Sequence, residues 1–162
     1  MISAIVAVDK NWGIGYNNDL LAHIPEDMKN FVHLTTGNVV IMGRKTWDSL
    51  PKKPLPNRMN IVITSQDIPN EENVKFLTMN QAKAYAVICR PQNVFIIGGE
   101  SIYKEFLPLC NKIYLTQIEK EYENVDTYFP NLDKMDEWEI SSCTDLREYK
   151  DIQYAFLTYD RI

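Results

Sequence analysis

Asp27 is the residue in this 162-residue chain whose type and setting best suit acid–base chemistry. It falls in the stretch IPEDMKNFVHLTTG, where Pro25 suits a first helical turn and Gly37 a helix end, so the spacing predicts a helix over 25–36. At about 100° per residue, Ile24, Met28, Phe31, Val32 and Thr35 share one face, and Glu26, Lys29, Asn30 and His33 share the opposite one. Asp27 lies on the margin of the apolar face, in line with Phe31 and Leu34. A carboxylate there either complements the helix dipole or points along an apolar wall, where desolvation would raise its pKa and fit it for proton transfer.

Two glycine-bounded strand ends offer a second chemistry. In VVIMGRKTWDSL, Gly43 closes an apolar run, and Arg44, Lys45 and Thr46 open a helix whose free N–H groups attract phosphate. In VFIIGGESIYKEF the pattern recurs at Gly98 and Gly99, followed by Glu100 and Ser101. Neither is the GxGxxG fingerprint, and a Gly-Gly pair before a helix is more often a tight turn than a phosphate loop. Two such ends on neighbouring strands would nevertheless form a cleft at the carboxyl edge of a sheet, where nucleotides bind. Charge follows the same division. The net charge is −5 and residues 119–162 hold twelve acids against five bases, yet between Arg44 and Arg58 five bases face one acid. That strip suits a small polyanion or a solvated loop face, while the acidic total argues against nucleic acid and anionic membranes.

The elements that must position these residues are legible as apolar runs. ISAIVAV (2–8), NVVIMG (38–43), NIVIT (60–64) and VFIIGG (94–99) read as strands buried on both faces, with helical patterns between them at 25–36, 44–50 and 80–89. The fold class is therefore α/β. After a further helix at 100–108, KIYLTQI, WEISSC and IQYAFLTYD read as strands without intervening helices, which predicts an antiparallel C-terminal edge on a mixed sheet. No linker divides the chain, so a single domain over 1–162 is expected, with a surface loop near 68–73. No apolar run reaches the roughly 18 residues of a membrane span, and the N-terminus carries no basic leader, so a cytoplasmic protein is expected. Cys89, Cys110 and Cys143 are odd in number and far apart, which suggests buried free thiols, and His23 and His33 fit no metal spacing, so no metal is expected.

Taken together, MISAIVAV, GIG at 13–15, IPEDMKNF at 24–31, VIMGRKTWDSLPKKPLPNRMNIVIT at 40–64, IIGGESIY at 96–103, YLTQI at 114–118 and DTYFP at 126–130 resemble the dihydrofolate reductase family almost from end to end. The resemblance implies a twisted, mainly parallel eight-stranded sheet flanked by about four helices. It implies reduction of dihydrofolate by NADPH, with hydride passing from nicotinamide C4 to pterin C6 and a proton to N5. Asp27 matches the carboxylate that orients the pterin and supports that protonation. Ile5, Ala7, Met28, Phe31, Leu50, Leu55 and Ile97 match the apolar walls around the substrate, Thr116 a hydroxyl linked to Asp27, and Arg58 the arginine that grips the glutamate tail. For the cofactor, Arg44, Ser65 and Gln66 match positions around the adenosine 2′-phosphate, with Gly43, Lys45 and Thr64 beside them. Thr46, Gly98, Gly99, Glu100 and Ser101 match the pyrophosphate-facing turns, and Ala7, Ile14, Gly15, Asn18, Leu20, Ile97 and Tyr103 the ribose and nicotinamide region. The Gly98-Gly99 bond is often cis in this family.

The polar loop DKNWGIGYNNDLLAHI would fold over the nicotinamide, with Asp126 as its latch. The chain also departs from the family pattern. Ala22 stands where many relatives carry Trp, Leu21 where Pro is common and Val125 where Gly is frequent, and Lys52 and Lys53 include a one-residue lengthening. His23 is expected to be a solvated loop residue. Three rival readings remain: a riboflavin-pathway reductase acting on a ribosylaminopyrimidine, a non-enzymatic folate- or nucleotide-binding module, and an α/β interaction protein using the acidic tail. Asp27 against Phe31, with Arg58, favours folate. The expected partners are dihydrofolate and antifolate-type small molecules, and the expected state is a monomer.

Overall fold

β-Branched side chains pack well on a pleated surface, and the Val- and Ile-rich runs become the strands of one large sheet. The computed structural model describes residues 1–88 and 93–162, so the expectation for Cys89 lies outside the described residues. In chain order the elements are β1 (Ile2–Val8), β2 (Gly13–Tyr16), β3 (Asp19–Leu20), α1 (Pro25–Thr35), β4 (Val39–Gly43), α2 (Arg44–Ser49), β5 (Met59–Ile63) and β6 (Val74–Leu77). There follow α3 (Met79–Ile88), β7 (Val94–Ile96), α4 (Glu100–Phe106), β8 (Lys112–Ile118), β9 (Thr127–Tyr128), β10 (Trp138–Cys143), β11 (Arg147–Tyr149) and β12 (Ile152–Arg161).

The sheet runs β10-β12-β8-β1-β7-β4-β5-β6, with the short β11 paired to β12 off that path. From β8 to β6 every pairing is parallel; β12 joins β8 antiparallel, and β10 joins β12 the same way. The α/β class, the eight-strand path, the four α-helices and the antiparallel C-terminal edge thus agree with expectation. Period-two alternation assigns the two faces. Ala4, Val6, Val8, Ile41, Ile61 and Ile96 face the layer of α3 and α4, where Ala82, Ala86, Ile102 and Phe106 complete a core. Val40, Met42, Val62 and Phe95 face the opposite way and pack with Leu34 of α1 and Trp47 of α2. Parallel strands leave their carboxyl ends together, so Gly43 at the end of β4 lies along one edge with Asp9, Thr64 and Gly98, which follow β1, β5 and β7.

Three features go beyond the sequence pattern. On the apolar face of α1, Met28 and Val32 are 52% and 44% exposed. The helix turns Asp27 toward β8 and Leu34 toward the sheet, because it borders an open cleft and leaves apolar side chains along its rim. The loop after β1 is also more ordered than its polarity suggests: β3, β2 and β9 form a separate three-stranded sheet. Gly13 and Gly15 allow it, since a Cβ on Gly13 would lie 2.7 Å from Val125 and one on Gly15 2.9 Å from the Asp19 carbonyl. Of the thiols, Cys110 is buried as expected but Cys143 is exposed on the edge strand β10, whose residues after Trp138 are all exposed. No helix among the described residues is long and apolar enough to cross a membrane.

Candidate active site

Asp27 sits in the first turn of α1, and its Oδ1 accepts a hydrogen bond of 2.6 Å from the Thr116 hydroxyl. Thr116 lies on β8 directly opposite Ala7 of β1 and is itself buried. The carboxylate is therefore held over the inner face of two central strands, against the half-buried Ala7 and the apolar cluster of Ile24, Ile118 and Tyr154. Burial pushes the Asp27 carboxyl above the usual carboxylate range, and the Thr116 hydrogen bond pulls part of the way back. Asp27 is thus both in the first turn of the helix and partly stripped of water.

The remaining side chains of the predicted apolar wall gather beside it. Ile5, Leu50, Leu55 and Ile97 pack, each only partly buried, against Val40, Met42, Val62 and Phe95. Phe31 lies under the Arg58 guanidinium, 5.9 Å from ring centre to Cζ. Arg58 is 7% exposed, donates from Nε to the Pro56 carbonyl at 2.8 Å and from a terminal nitrogen to Thr35 Oγ1 at 3.0 Å. Its burial lowers its pKa, and among the described residues no carboxylate lies within ion-pair distance of it. The structure thus orders a cation at one end of an apolar surface and a carboxylate at the other. Such a pair suits an elongated ligand with an amino-bearing ring at one end and an acid at the other.

The two glycine-bounded strand ends are coupled. Gly43 N–H donates to the Gly98 carbonyl at 2.9 Å, and the Gly98-Gly99 peptide is cis, as the resemblance implied. Gly98 has φ +124°, a conformation that L side chains rarely adopt. Thr46 Oγ1 lies 3.6 and 3.7 Å from where Cβ atoms on Gly98 and Gly99 would stand, so a hydroxyl and a bare backbone meet there. On the adjoining strand ends, Arg44 donates to Gln66 Oε1 at 2.8 Å and pairs with Asp48 at 3.2 Å, while Lys45 and Ser65 are exposed nearby in sequence. Tyr103 is buried behind Gly98, its hydroxyl donating to the Ile5 carbonyl at 2.7 Å, and burial raises its pKa. Glu100 turns its carboxylate to the Tyr128 N–H and to Lys104.

Over the strand ends lies the glycine loop, with Ile14 half-buried, Gly15 buried, and Asn18 and Leu20 exposed. Asp126 Oδ2 accepts from Asn17 N–H at 2.9 Å, which is the contact expected of a latch. His23 is exposed and lies 3.2 Å from Asp19, in keeping with a solvated loop residue.

Comparison with known proteins matches this arrangement to one family. The family model for dihydrofolate reductase matches residues 1–161. Among similar proteins, the dihydrofolate reductase of Bacillus subtilis (strain 168) is 39% identical over 99% of this chain and 95% of its own length. That of Neisseria meningitidis serogroup B is 38% identical over 99% and 98%, and that of Buchnera aphidicola 45% identical over 80% and 78%.

The chain belongs to the dihydrofolate reductase family.

As a dihydrofolate reductase family member it is an oxidoreductase, and its departures from the family pattern have visible consequences. Ala22, in place of a Trp, packs with Tyr122 against the Ile24, Ile118 and Tyr154 cluster. Val125, in place of a Gly, presses its methyl groups on Gly13. The longer turn at Lys52 and Lys53 carries a cis Lys53-Pro54 bond. Sequence reasoning missed several residues that order this region. Asn60 is fully buried and grips the turn before it through Leu55 and Arg58; its signal was a polar residue inside the apolar run NIVIT. Thr35, which anchors Arg58, shows in the sequence only as part of a helix face. Asp9, 1% exposed at the end of β1, gave no periodic signal at all.

Proposed function

We propose that this protein reduces dihydrofolate to tetrahydrofolate with NADPH as the hydride donor, acting as a one-domain monomer in the cytoplasm. The observation that carries the reading is the Asp27 carboxylate, held by Thr116 over Ala7 at one end of an apolar wall that has Arg58 at the other. Asp27 orients the ring by accepting hydrogen bonds from its amino group and adjacent nitrogen, and its raised pKa suits it to supporting protonation of N5. Ile5, Leu50, Leu55, Phe31 and the exposed Met28 would flank the ring and its aromatic tail, and Arg58 would take the tail carboxylate. Free thiols at Cys110 and Cys143 suit a reducing compartment.

The residues present fit the dinucleotide. Gly43, Thr46 and the Gly98-Gly99 turn make a cradle of backbone and hydroxyl, backed by the side chains of Ile102 and Tyr103. Arg44 and Gln66, already joined, would take the adenosine 2′-phosphate with Ser65, and this favours NADPH over NADH. When bound, the nicotinamide supplies the hydride. Ala7, Ile14, Ile97 and the loop above them would hold the reacting ends together and exclude water.

A competition assay tests the reading. Purified protein should oxidise NADPH in proportion to the tetrahydrofolate formed, and a diaminopyrimidine antifolate, whose amino groups face Asp27, should compete with dihydrofolate. Reduction of a ribosylaminopyrimidine instead would favour the riboflavin-pathway reading and reject this one.

A further inference from the structure

Asp9 is buried, and among the described residues no cation pairs with it. Its Oδ1 accepts from Asn11 N–H at 2.9 Å and Gly13 N–H at 2.7 Å, and its Oδ2 from Tyr122 N–H at 3.2 Å. All three partners are backbone donors, two in the loop that leaves β1 and one in the segment that follows β8. Asp9 also donates from its own N–H to the Gly13 carbonyl, and Lys10 N–H reaches the Lys120 carbonyl. These two stretches of chain meet again where Gly13 pairs with Tyr128 and Gly15 with Thr127, and at the exposed Asn17–Asp126 contact. Apart from Val125, whose methyl groups lie against Gly13, the described residues of the two stretches are held apart between these clamps. An open cavity of about 380 Å³ separates Tyr16, Asn17 and Leu20 from Tyr122 and Asn124. The relative placement of loop and segment therefore depends on a few polar links, of which Asp9 is the innermost.

We infer that Asp9 is a positioning residue for hydride transfer: its carboxylate fixes the loop carrying Ile14 and Gly15 to the 120–126 segment and so sets the closed position of the loop over the nicotinamide. The inference rests on the reductase reading above. The chemistry explains why a carboxylate is needed. Three N–H groups converge on two oxygens, and both oxygens must accept. An amide offers one accepting oxygen and one NH2 group, so Asp9→Asn sets donor against donor either at Tyr122 or at the Asn11–Gly13 pair. Its size and hydrogen-bonding capacity are otherwise retained.

The test is single-turnover hydride transfer by stopped flow in Asp9→Asn, beside the Kd for dihydrofolate and the same measurements in Asp126→Ala and the double variant. Hydride transfer should fall roughly tenfold in Asp9→Asn with the dihydrofolate Kd within about twofold of wild type. The double variant should lose less than the product of the single losses, since both links restrain the same two segments. A folded Asp9→Asn protein with unchanged hydride transfer, or one that loses dihydrofolate affinity in parallel, would overturn the inference. Wild-type protein that transfers no hydride would remove the reductase reading and this inference with it. Should Asp9→Asn not fold, amide exchange in the wild type decides: Gly13 and Tyr122 amides gaining protection together on NADPH binding supports the inference, and unchanged protection at Tyr122 overturns it.

Discussion

Replacing Thr116 with Val takes one oxygen from the buried side of the site and puts a methyl group in its place. The lost interaction is the 2.6 Å bond to Asp27. A hydrogen bond to a charged group contributes about 1.5–3 kcal/mol and a neutral one about 0.5–1.5 kcal/mol. The added buried methyl returns about 0.8 kcal/mol. Thr116→Val should thus cost about 1–2 kcal/mol when Asp27 is ionised and close to nothing when it is protonated. For a chain of this length the neutral-pH loss corresponds to a Tm lower by about 2–8 °C. The sign with pH follows from burial. The folded-state pKa of Asp27 is raised above its ordinary value of 3.8, so the native state holds the proton more tightly than the unfolded chain does. Any stability this gives is complete below the ordinary value and is lost as pH rises through the folded one. Thr116→Val removes the interaction that lowers the pKa, raising it further, and the inflection of the pH–rate profile should move to higher pH. Urea titrations at several pH values, with kcat measured across the same range, check both effects. A variant whose stability difference from wild type is the same above and below the Asp27 transition, with an unmoved rate profile, would refute the reasoning.

Other substitutions probe other parts of the site. Arg58→Lys should weaken dihydrofolate binding about ten- to hundred-fold, the loss of one bidentate charged contact, and should leave binding of a pteroate lacking the glutamate unchanged; equilibrium titration of both ligands checks it. Gly98→Ala places a Cβ where φ is +124°, and should cost about 1–3 kcal/mol in urea unfolding and reduce NADPH affinity. Arg44→Leu should raise KM for NADPH and leave KM for NADH unchanged, measured in parallel steady-state assays. Burial pushes the Cys110 thiol up to about 12, so at pH 8 a thiol reagent should modify the exposed Cys143 and spare Cys110, as peptide mapping would show.

The parallel sheet was legible because β1, β4, β5 and β7 are buried on both faces, and such strands write themselves as uninterrupted Val and Ile runs. The tail strands β8, β10 and β12 were legible for the converse reason, the absence of helical spacing between apolar segments. Periodicity did not show that Met28 and Val32 of α1 border a cleft and are left exposed, although the line Asp27, Phe31 and Leu34 was already visible as the margin. The small β2–β3–β9 sheet left no apolar pattern because close backbone approach at Gly13 and Gly15 sustains it rather than core burial. The short strand β6 (VKFL) followed a loop that was marked, but four residues interrupted by Lys75 and mostly half-buried at the sheet's edge make no apolar run. Asp9 was invisible for a different reason. A buried acid satisfied wholly by backbone N–H groups has no partner residue in the sequence to betray it, whereas Asp27 and Arg58 stand in recognisable motifs.

The reading turns on Asp27, and hydride transfer measured with NADPH and dihydrofolate in wild type and Asp27→Asn, with folding of both verified, addresses it most directly. The expected result is dihydrofolate-dependent oxidation of NADPH by the wild type that falls about a hundredfold or more in the variant, most steeply near neutral pH. Equal rates in the two proteins, or no turnover from well-folded wild type, would contradict it.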